Sequence, residues 1–295
     1  MDNGQMICQE FDRDALRQYI DYQIQLSLDR ADAEYCWTNY LSRGLEILVK
    51  TMTAHDCGGS PALSLNLSGW DLGVSGIQSI SSTVFRQNHL QVVRLRSTNM
   101  SDNALIAMAN HLPISLRTLD LSSNRITSDG FNHLSERIRQ CSIPLEDLDL
   151  SDNPLGDRSV RALCTFMNHT PTLSSLSLIH TNLSGKASEA LIKHMQNTDR
   201  LVQFRYGMVS LKNCSSAICR YIQANLSLRH LSLPQSSLND DCVKAIAECL
   251  PMSRLQSLNL RDNLITDLGA IALANALGSA KTVTVVDLTQ VASSR

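Results

Sequence analysis

No C-x-x-C pair occurs in the 295 residues, although nine cysteines do: Cys8, Cys36, Cys57, Cys141, Cys164, Cys214, Cys219, Cys242 and Cys249. An odd number at irregular spacing suits neither a disulfide framework nor a zinc site. Free thiols are expected, with Cys164 and Cys242 at apolar helical positions where a thiol packs as a small hydrophobe. An excess of one charge is equally lacking: 26 Lys and Arg stand against 28 Asp and Glu. Nucleic acid needs a clustered basic face, and none is visible. No stretch approaches the ~18 consecutive apolar residues of a membrane span. "MDNGQMICQEFDRD" has neither the basic start nor the apolar run of a secretory signal, so the cytoplasm or nucleus is the expected location, away from membranes. Glycine-rich phosphate cradles are missing too. "SGWDLGVSGI" has the glycines of a loose turn, and no cofactor is expected. What is present is a core-forming composition, 43% hydrophobic and 18% charged, with 4% aromatic residues.

Laid out at a period near 28, the chain repeats L-x-x-L-x-L-x-x-N-x-L followed by a helical stretch. The clearest copies are "LRTLDLSSNRI" (116–126), "LEDLDLSDNPL" (145–155) and "LQSLNLRDNLI" (255–265). Weaker copies begin at Ala62, Leu90, Leu173, Leu201 and Leu228, and a ninth begins at Val283. The first core residues (Leu65, Val93, Leu119, Leu148, Leu176, Phe204, Leu231, Leu258 and Val286) are separated by 26 to 29 residues. Nine registers this regular indicate a solenoid. In "LEDLDLSDN" the alternation has period two, so Leu148 and Leu150 face one side while Asp147 and Asp149 face the other: a strand. Val160, Leu163, Cys164 and Met167 then recur at helical spacing, on a helix expected to start near Asp157, whose charge suits the positive helix end. Neither element buries its face alone; stacking the units buries both.

The pattern resembles the leucine-rich repeat family, in its ribonuclease-inhibitor-like class. The resemblance covers residues 62–295 and implies an α/β, right-handed horseshoe of about nine repeats: a parallel inner sheet, outer helices and an incomplete last repeat. The asparagine site departs from the pattern. Only Asn124, Asn153 and Asn263 keep it; Trp70, Thr98, Thr181, Val209, Ser236 and Val291 replace it. Ser and Thr can still bond neighbouring backbone, whereas Val209 cannot, so the sixth repeat is expected to be irregular. Residues 1–61 are read as an N-terminal cap of the same domain. Their "YIDYQIQLSL" fits a strand, or a helix less well, and residues 32–52 form an amphipathic helix. At the other end no matching cap is visible, which implies either a longer chain or self-association or partner binding at the bare strand edge.

The repeat alignment also specifies the inner face, because equivalent residues on adjacent strands lie about 4.8 Å apart. Asp120, Asp147 and Asp149 are expected to form an acidic patch beside Arg94 and Arg96, with Arg205, His230 and Arg261 farther along. Such a bipolar surface suits a protein partner. Alternatively, Arg94 and Asp120 simply pair across strands and keep the face soluble. A calcium loop is excluded at "DLDLSDN": the sixth residue from Asp147 is Asp152 rather than Gly, and the twelfth is Arg158 rather than Glu. Ser123, Asp152 and His180 occupy equivalent turn positions, but with the aspartate in the middle they cannot work as a triad. No catalytic, cofactor or metal residues are therefore expected. The favoured function is a non-enzymatic protein-interaction scaffold using the strand face and adjacent loops. The alternatives, suggested by the resemblance, are a RanGAP-like GTPase-activating protein and the sensor fragment of an intracellular receptor.

Overall fold

A computed structural model describes residues 64–83, 85 and 90–289. The expected cap, 1–61, lies outside them. Among the described residues nine strands form one parallel sheet in chain order: β1 (Ser64–Asn66), β2 (Val92–Arg94), β3 (Thr118–Asp120), β4 (Asp147–Asp149), β5 (Ser175–Ser177), β6 (Gln203–Arg205), β7 (His230–Ser232), β8 (Ser257–Asn259) and β9 (Val285–Asp287). Between them run α1 (Gly73–Thr83), α2 (Asp102–Ala109), α3 (Ser128–Gln140), α4 (Val160–His169), α5 (Gly185–Met195), α6 (Ser215–Ala224), α7 (Asp240–Cys249) and α8 (Asp267–Leu277). Each helix packs on the next, and the L-x-L leucines fill the space between sheet and helices, as at Leu119, Leu121, Leu148 and Leu150, all 0% exposed.

The three asparagines that keep the repeat pattern tie each unit to the one before. Asn153 donates from Nδ2 to the carbonyls of Leu121, Leu150 and Ser151 and accepts the Ile126 N–H at 3.0 Å. Asn124 and Asn263 repeat the scheme, accepting the N–H groups of Met100 and Leu238. Where Thr98, Thr181 or Ser236 stands instead, the backbone takes over. The N–H groups of Leu72, Gly156 and Leu211 bond those residues' carbonyls directly, at 3.3, 3.1 and 2.9 Å. The residue after each replacement, Asn99, Asn182 or Ser237, turns left-handed with φ of 57°, 55° and 54°. Asn and Ser are small and polar enough to tolerate that conformation.

A second ladder joins the helix starts. Asp102, Asp157 and Asp240 each accept both the N–H and the hydroxyl of the following unit's cap residue: Thr127 (2.8 and 2.6 Å), Ser184 (2.7 and 2.7 Å) and Thr266 (2.8 and 2.6 Å). These cap oxygens in turn accept from the first helical turn, for example Thr266 from the Leu268 N–H. Asp157 therefore does more than complement a helix dipole, and the helix proper begins at Val160 after a 3-10 turn over Asp157–Ser159. The Thr266 hydroxyl and N–H hold the Asp240 carboxyl below its usual range. Gly269 is required here: a Cβ would lie 2.5 Å from Asp240 Oδ1 and 2.8 Å from Ile265 Cγ2.

The sixth unit is irregular, as the valine at its asparagine site implies. β6 keeps register with both neighbours. Its helix, however, starts two residues late: the cap follows the last core residue directly in the third unit (Ile126, Thr127), but Cys214 comes three after Leu211. Aromatics fill the space. Phe204 stacks on Tyr206 at 5.6 Å and meets Tyr221 edge-on at 6.0 Å, all three being buried. Tyr206 Oη bonds Ser188 Oγ, and burial pushes its phenol well above the usual range.

Six described cysteines are free thiols. Burial pushes Cys214 up to about 11 and Cys219 up to about 12. At neutral pH this lowers the reactive thiolate of Cys214 by about a hundredfold. Maleimide labelling, read by peptide mass spectrometry, is accordingly expected to be about a hundredfold slower at Cys214, and slower still at Cys219, in native protein than in urea. Equal rates would contradict their burial.

Candidate functional site

The strand pairing places the inner-face residues in three rows. One row runs Ser64, Val92, Thr118, Asp147, Ser175, Gln203, His230, Ser257, Val285, and the next runs Asn66, Arg94, Asp120, Asp149, Ser177, Arg205, Ser232, Asn259, Asp287. The third row is aligned by bonds from the turn residue beyond it. The Ser97 N–H reaches the Ser122 carbonyl, that of Ser123 reaches Ser151, and that of Gln235 reaches Arg261. Each row is set by the alternation of strand side chains about leucines that are buried on the other face.

Arg94 and Asp120 stand side by side on paired strands yet form no ion pair. Asp120 turns back instead, accepting the N–H and hydroxyl of its own strand's Ser122 at 2.9 and 2.6 Å. Among the described residues Arg94 and Arg96 pair with no carboxylate. The pairing that does form spans two strands: Arg205 on β6 reaches over Ser177 on β5 to Asp149 on β4, Nη2 to Oδ2 at 3.3 Å. Ser177 is 1% exposed and bonds Ser151 Oγ at 2.7 Å. A partly exposed bridge of this kind contributes at most about 1 kcal/mol, so its main consequence is to neutralise one end of the acidic patch.

Asp147 faces no cation either. Its Oδ1 and the Nε of Arg205 are the two buried side-chain polar atoms without a hydrogen-bond partner among the described residues. His230 is exposed on β7. Arg261 is drawn sideways, its Nε 3.2 Å from Asp262 Oδ2. The face is thus divided: uncompensated Arg94 and Arg96 on the β2 side, Asp120 and Asp147 beside them, then the Asp149–Arg205 bridge. Beyond it the third row turns apolar and close-packed at Ile179, Gly207 and Pro234, where a Cβ on Gly207 would lie 2.3 Å from the Pro234 carbonyl oxygen.

The turn row bears out the geometric objection to a triad. Asp152 sits between its neighbours, taking the Ser123 hydroxyl on Oδ2 at 3.2 Å and His180 Nδ1 on Oδ1 at 3.0 Å. Serine and histidine are held apart by the carboxylate that would have to lie behind the histidine. Sequence reasoning missed that every described residue of this row is left-handed: Gly69, Ser97, Ser123, Asp152, His180, Met208, Gln235 and Asp262, with φ from 49° to 78°. The conformation aims each N–H at the next strand's carbonyl. Gly, Asp and Ser in the row were the available signal, obscured by His180, Met208 and Gln235. Among the described residues no group of three or more His, Cys, Asp or Glu could hold a metal ion, and no helix is long and apolar enough to cross a membrane.

Comparison with known proteins agrees with this geometry. The family model described as Leucine Rich repeat matches residues 113–131, 141–164 and 253–274, the segments that contain Asn124, Asn153 and Asn263. The chain is 30% identical to Tonsoku-like protein of Danio rerio, over 74% of this chain and 18% of that protein. It is 29% identical to NACHT, LRR and PYD domains-containing protein 14 of Homo sapiens, over 73% and 20%. It is 28% identical to Protein phosphatase 1 regulatory subunit 37 homolog of Caenorhabditis elegans, over 72% and 24%. The chain spans about a fifth to a quarter of the length of these relatives. Nine parallel strands in register, an asparagine ladder between units and the matched repeats together make this chain a member of the leucine-rich repeat family.

Proposed function

We propose that the chain is a non-enzymatic interaction scaffold that docks a protein partner on its inner strand face, across Arg94, Arg96, Asp120, Asp147 and Asp149. The observation that carries this reading is the uncompensated charge: Arg94 and Asp120 are neighbours on paired strands and remain unbridged. Half-buried opposite charges left unpaired within a molecule are available to a partner that carries acid opposite the arginines and base opposite the aspartates, an arrangement that also excludes partners of the reverse polarity. The neighbouring Arg205, His230 and Arg261 extend the same surface. One of the relatives is by name a phosphatase regulatory subunit, which accords with an interaction role. The free thiols fit a reducing compartment, the cytoplasm or nucleus.

The test compares wild type, Arg94→Glu/Arg96→Glu, Asp120→Lys/Asp147→Lys and the outer-face control Lys244→Glu in quantitative affinity capture. The two inner-face variants are expected to lose the same captured proteins by about tenfold or more, a loss of ~1.4 kcal/mol, while Lys244→Glu keeps them. Retention of every captured protein by both inner-face variants would remove the strand face from the reading.

A further inference from the structure

The rim on which each helix runs back into a strand changes character along the solenoid. Before β3 and β4 its charges cancel, Arg117 being bridged to Glu146, and the segment before β5 carries no charge. Before β6, β7, β8 and β9 stand Arg200, Arg229, Arg254 and Lys281 in turn, with Asp199 the one carboxylate in those four segments (196–202, 225–229, 250–256 and 278–284). None of the four cations forms an ion pair among the described residues. Glu248, in the last turn of α7, still leaves the excess positive.

Exposed apolar side chains are set among these cations. Val202, Leu226 and Met252, on three successive units, are 38%, 54% and 83% exposed, and Pro251 beside Met252 is exposed as well. Ile114 is exposed on the same rim before β3, but its counterpart before β4, Ile143, is buried, so no apolar run forms there. Backbone bonds lock the units in step: the Arg229 N–H donates to the Val202 carbonyl at 2.8 Å, that of Gln256 to Arg229 at 2.7 Å and that of Thr284 to Gln256 at 2.9 Å. From β6 to β9 is thus three strand spacings, about 14 Å, the span of about four or five extended residues.

Helix ends explain part of this. Carbonyls there attract cations, and Arg229 Nη1 bonds those of Leu226 and Leu228 just past α6. That account does not extend to Arg254 or Lys281, both exposed, and it gives no reason for Leu226 and Met252 to stand in water. Cations interleaved with apolar side chains call for a ligand that mixes carboxylate and hydrocarbon on the same scale, which a polypeptide does residue by residue. A lipid surface instead separates headgroup from hydrocarbon by depth. A nucleic acid strand needs aromatic side chains to stack on, and the four segments have none.

We propose that this rim, from Arg200 to Lys281, docks an acidic segment of a partner protein that carries apolar side chains among its carboxylates. The site lies at the strand starts, beside the inner face, and is independent of the docking proposed there.

Fluorescence anisotropy tests the docking with a short fluorescein-labelled peptide of glutamate, aspartate and leucine, and with the same peptide carrying serine at every leucine. Wild type is expected to bind the leucine peptide at least about tenfold more tightly than the serine peptide. Arg254→Glu/Lys281→Glu and Met252→Ser change exposed positions, and circular dichroism is expected to show both folded. The first is expected to weaken binding by about tenfold or more, and the second by about threefold or more. Arg94→Glu/Arg96→Glu, which disables the inner face, is expected to bind the peptide as wild type does, so the two docking sites fail separately. Loss of binding in that variant would move the peptide to the inner face and overturn the proposal. So would absence of binding by wild type, equal affinity for the two peptides, unchanged binding by either rim variant, or tighter binding of oligothymidylate or of phosphatidylserine vesicles than of the leucine peptide.

Discussion

Replacing Asn153 by alanine is expected to cost about 3 kcal/mol of stability, more than any exposed substitution on the inner face. The amide is 1% exposed and supports four hydrogen bonds. Not all are lost outright. The Leu121 carbonyl also accepts from Asn124, and the Ser151 carbonyl also accepts the Ser123 N–H. The Ile126 N–H and the Leu150 carbonyl have no such substitute, and an unsatisfied buried group costs roughly 1–3 kcal/mol. Thr98→Ala is the matched control. Its hydroxyl donates to the Leu95 carbonyl, which Asn124 also satisfies, so ~1 kcal/mol or less is expected. Urea unfolding followed by circular dichroism measures both, and equal losses would show that the asparagine bridge does not hold the third unit to the fourth. Because each unit contacts only its neighbours, the weakened junction is also expected to open as a local boundary, visible as faster amide exchange at Ile126 than in unaltered units.

Gly207→Ala has the second large expected effect, for a steric rather than a polar reason. Gly207 does not have a positive φ, so backbone strain is not the argument. The added Cβ would lie 2.3 Å from the Pro234 carbonyl oxygen and 2.8 and 2.9 Å from its ring carbons. The carbonyl cannot swing away freely, since it accepts the Met208 N–H at 3.0 Å and fixes one unit against the next. Overpacking at such a contact costs about 2–3 kcal/mol. Gly156→Ala meets nothing within 4 Å of the new Cβ but sits at φ 64° and ψ 174°, a backbone region open essentially to glycine alone, so its cost of about 1–3 kcal/mol is conformational strain rather than overpacking. Adding Pro234→Ala to Gly207→Ala is expected to recover only part of the loss, because the ring is removed while the carbonyl stays. Full recovery would mean that the ring was the whole obstacle.

Much of the candidate site was readable before any coordinates. The membership of the inner-face rows follows from period-two alternation and a repeat of 26 to 29 residues, and the strand register reproduces it residue for residue. Which charges neutralise one another did not follow. Adjacent Arg94 and Asp120 were the natural pair by spacing, yet Asp120 is held by Ser122 two residues away. The bridge that forms joins Asp149 to Arg205, 56 residues apart. A long guanidinium chain passing over small Ser177 makes that reach available, and no pairwise spacing rule contains it.

By itself the sequence determined the class of the fold, the number of units, the side of the sheet on which each strand residue stands, and the irregularity of the sixth unit. All of these are periodic properties, set by local geometry repeated along one axis. The tertiary structure decided how the units are joined, through Asn153 to its predecessor, Asp240 to its successor and Gly207 beneath Pro234, and which charges are left for a partner. Those are contacts between units, where the outcome depends on distances of a few tenths of an ångström and on side chains choosing between neighbours that a repeat pattern treats as equivalent.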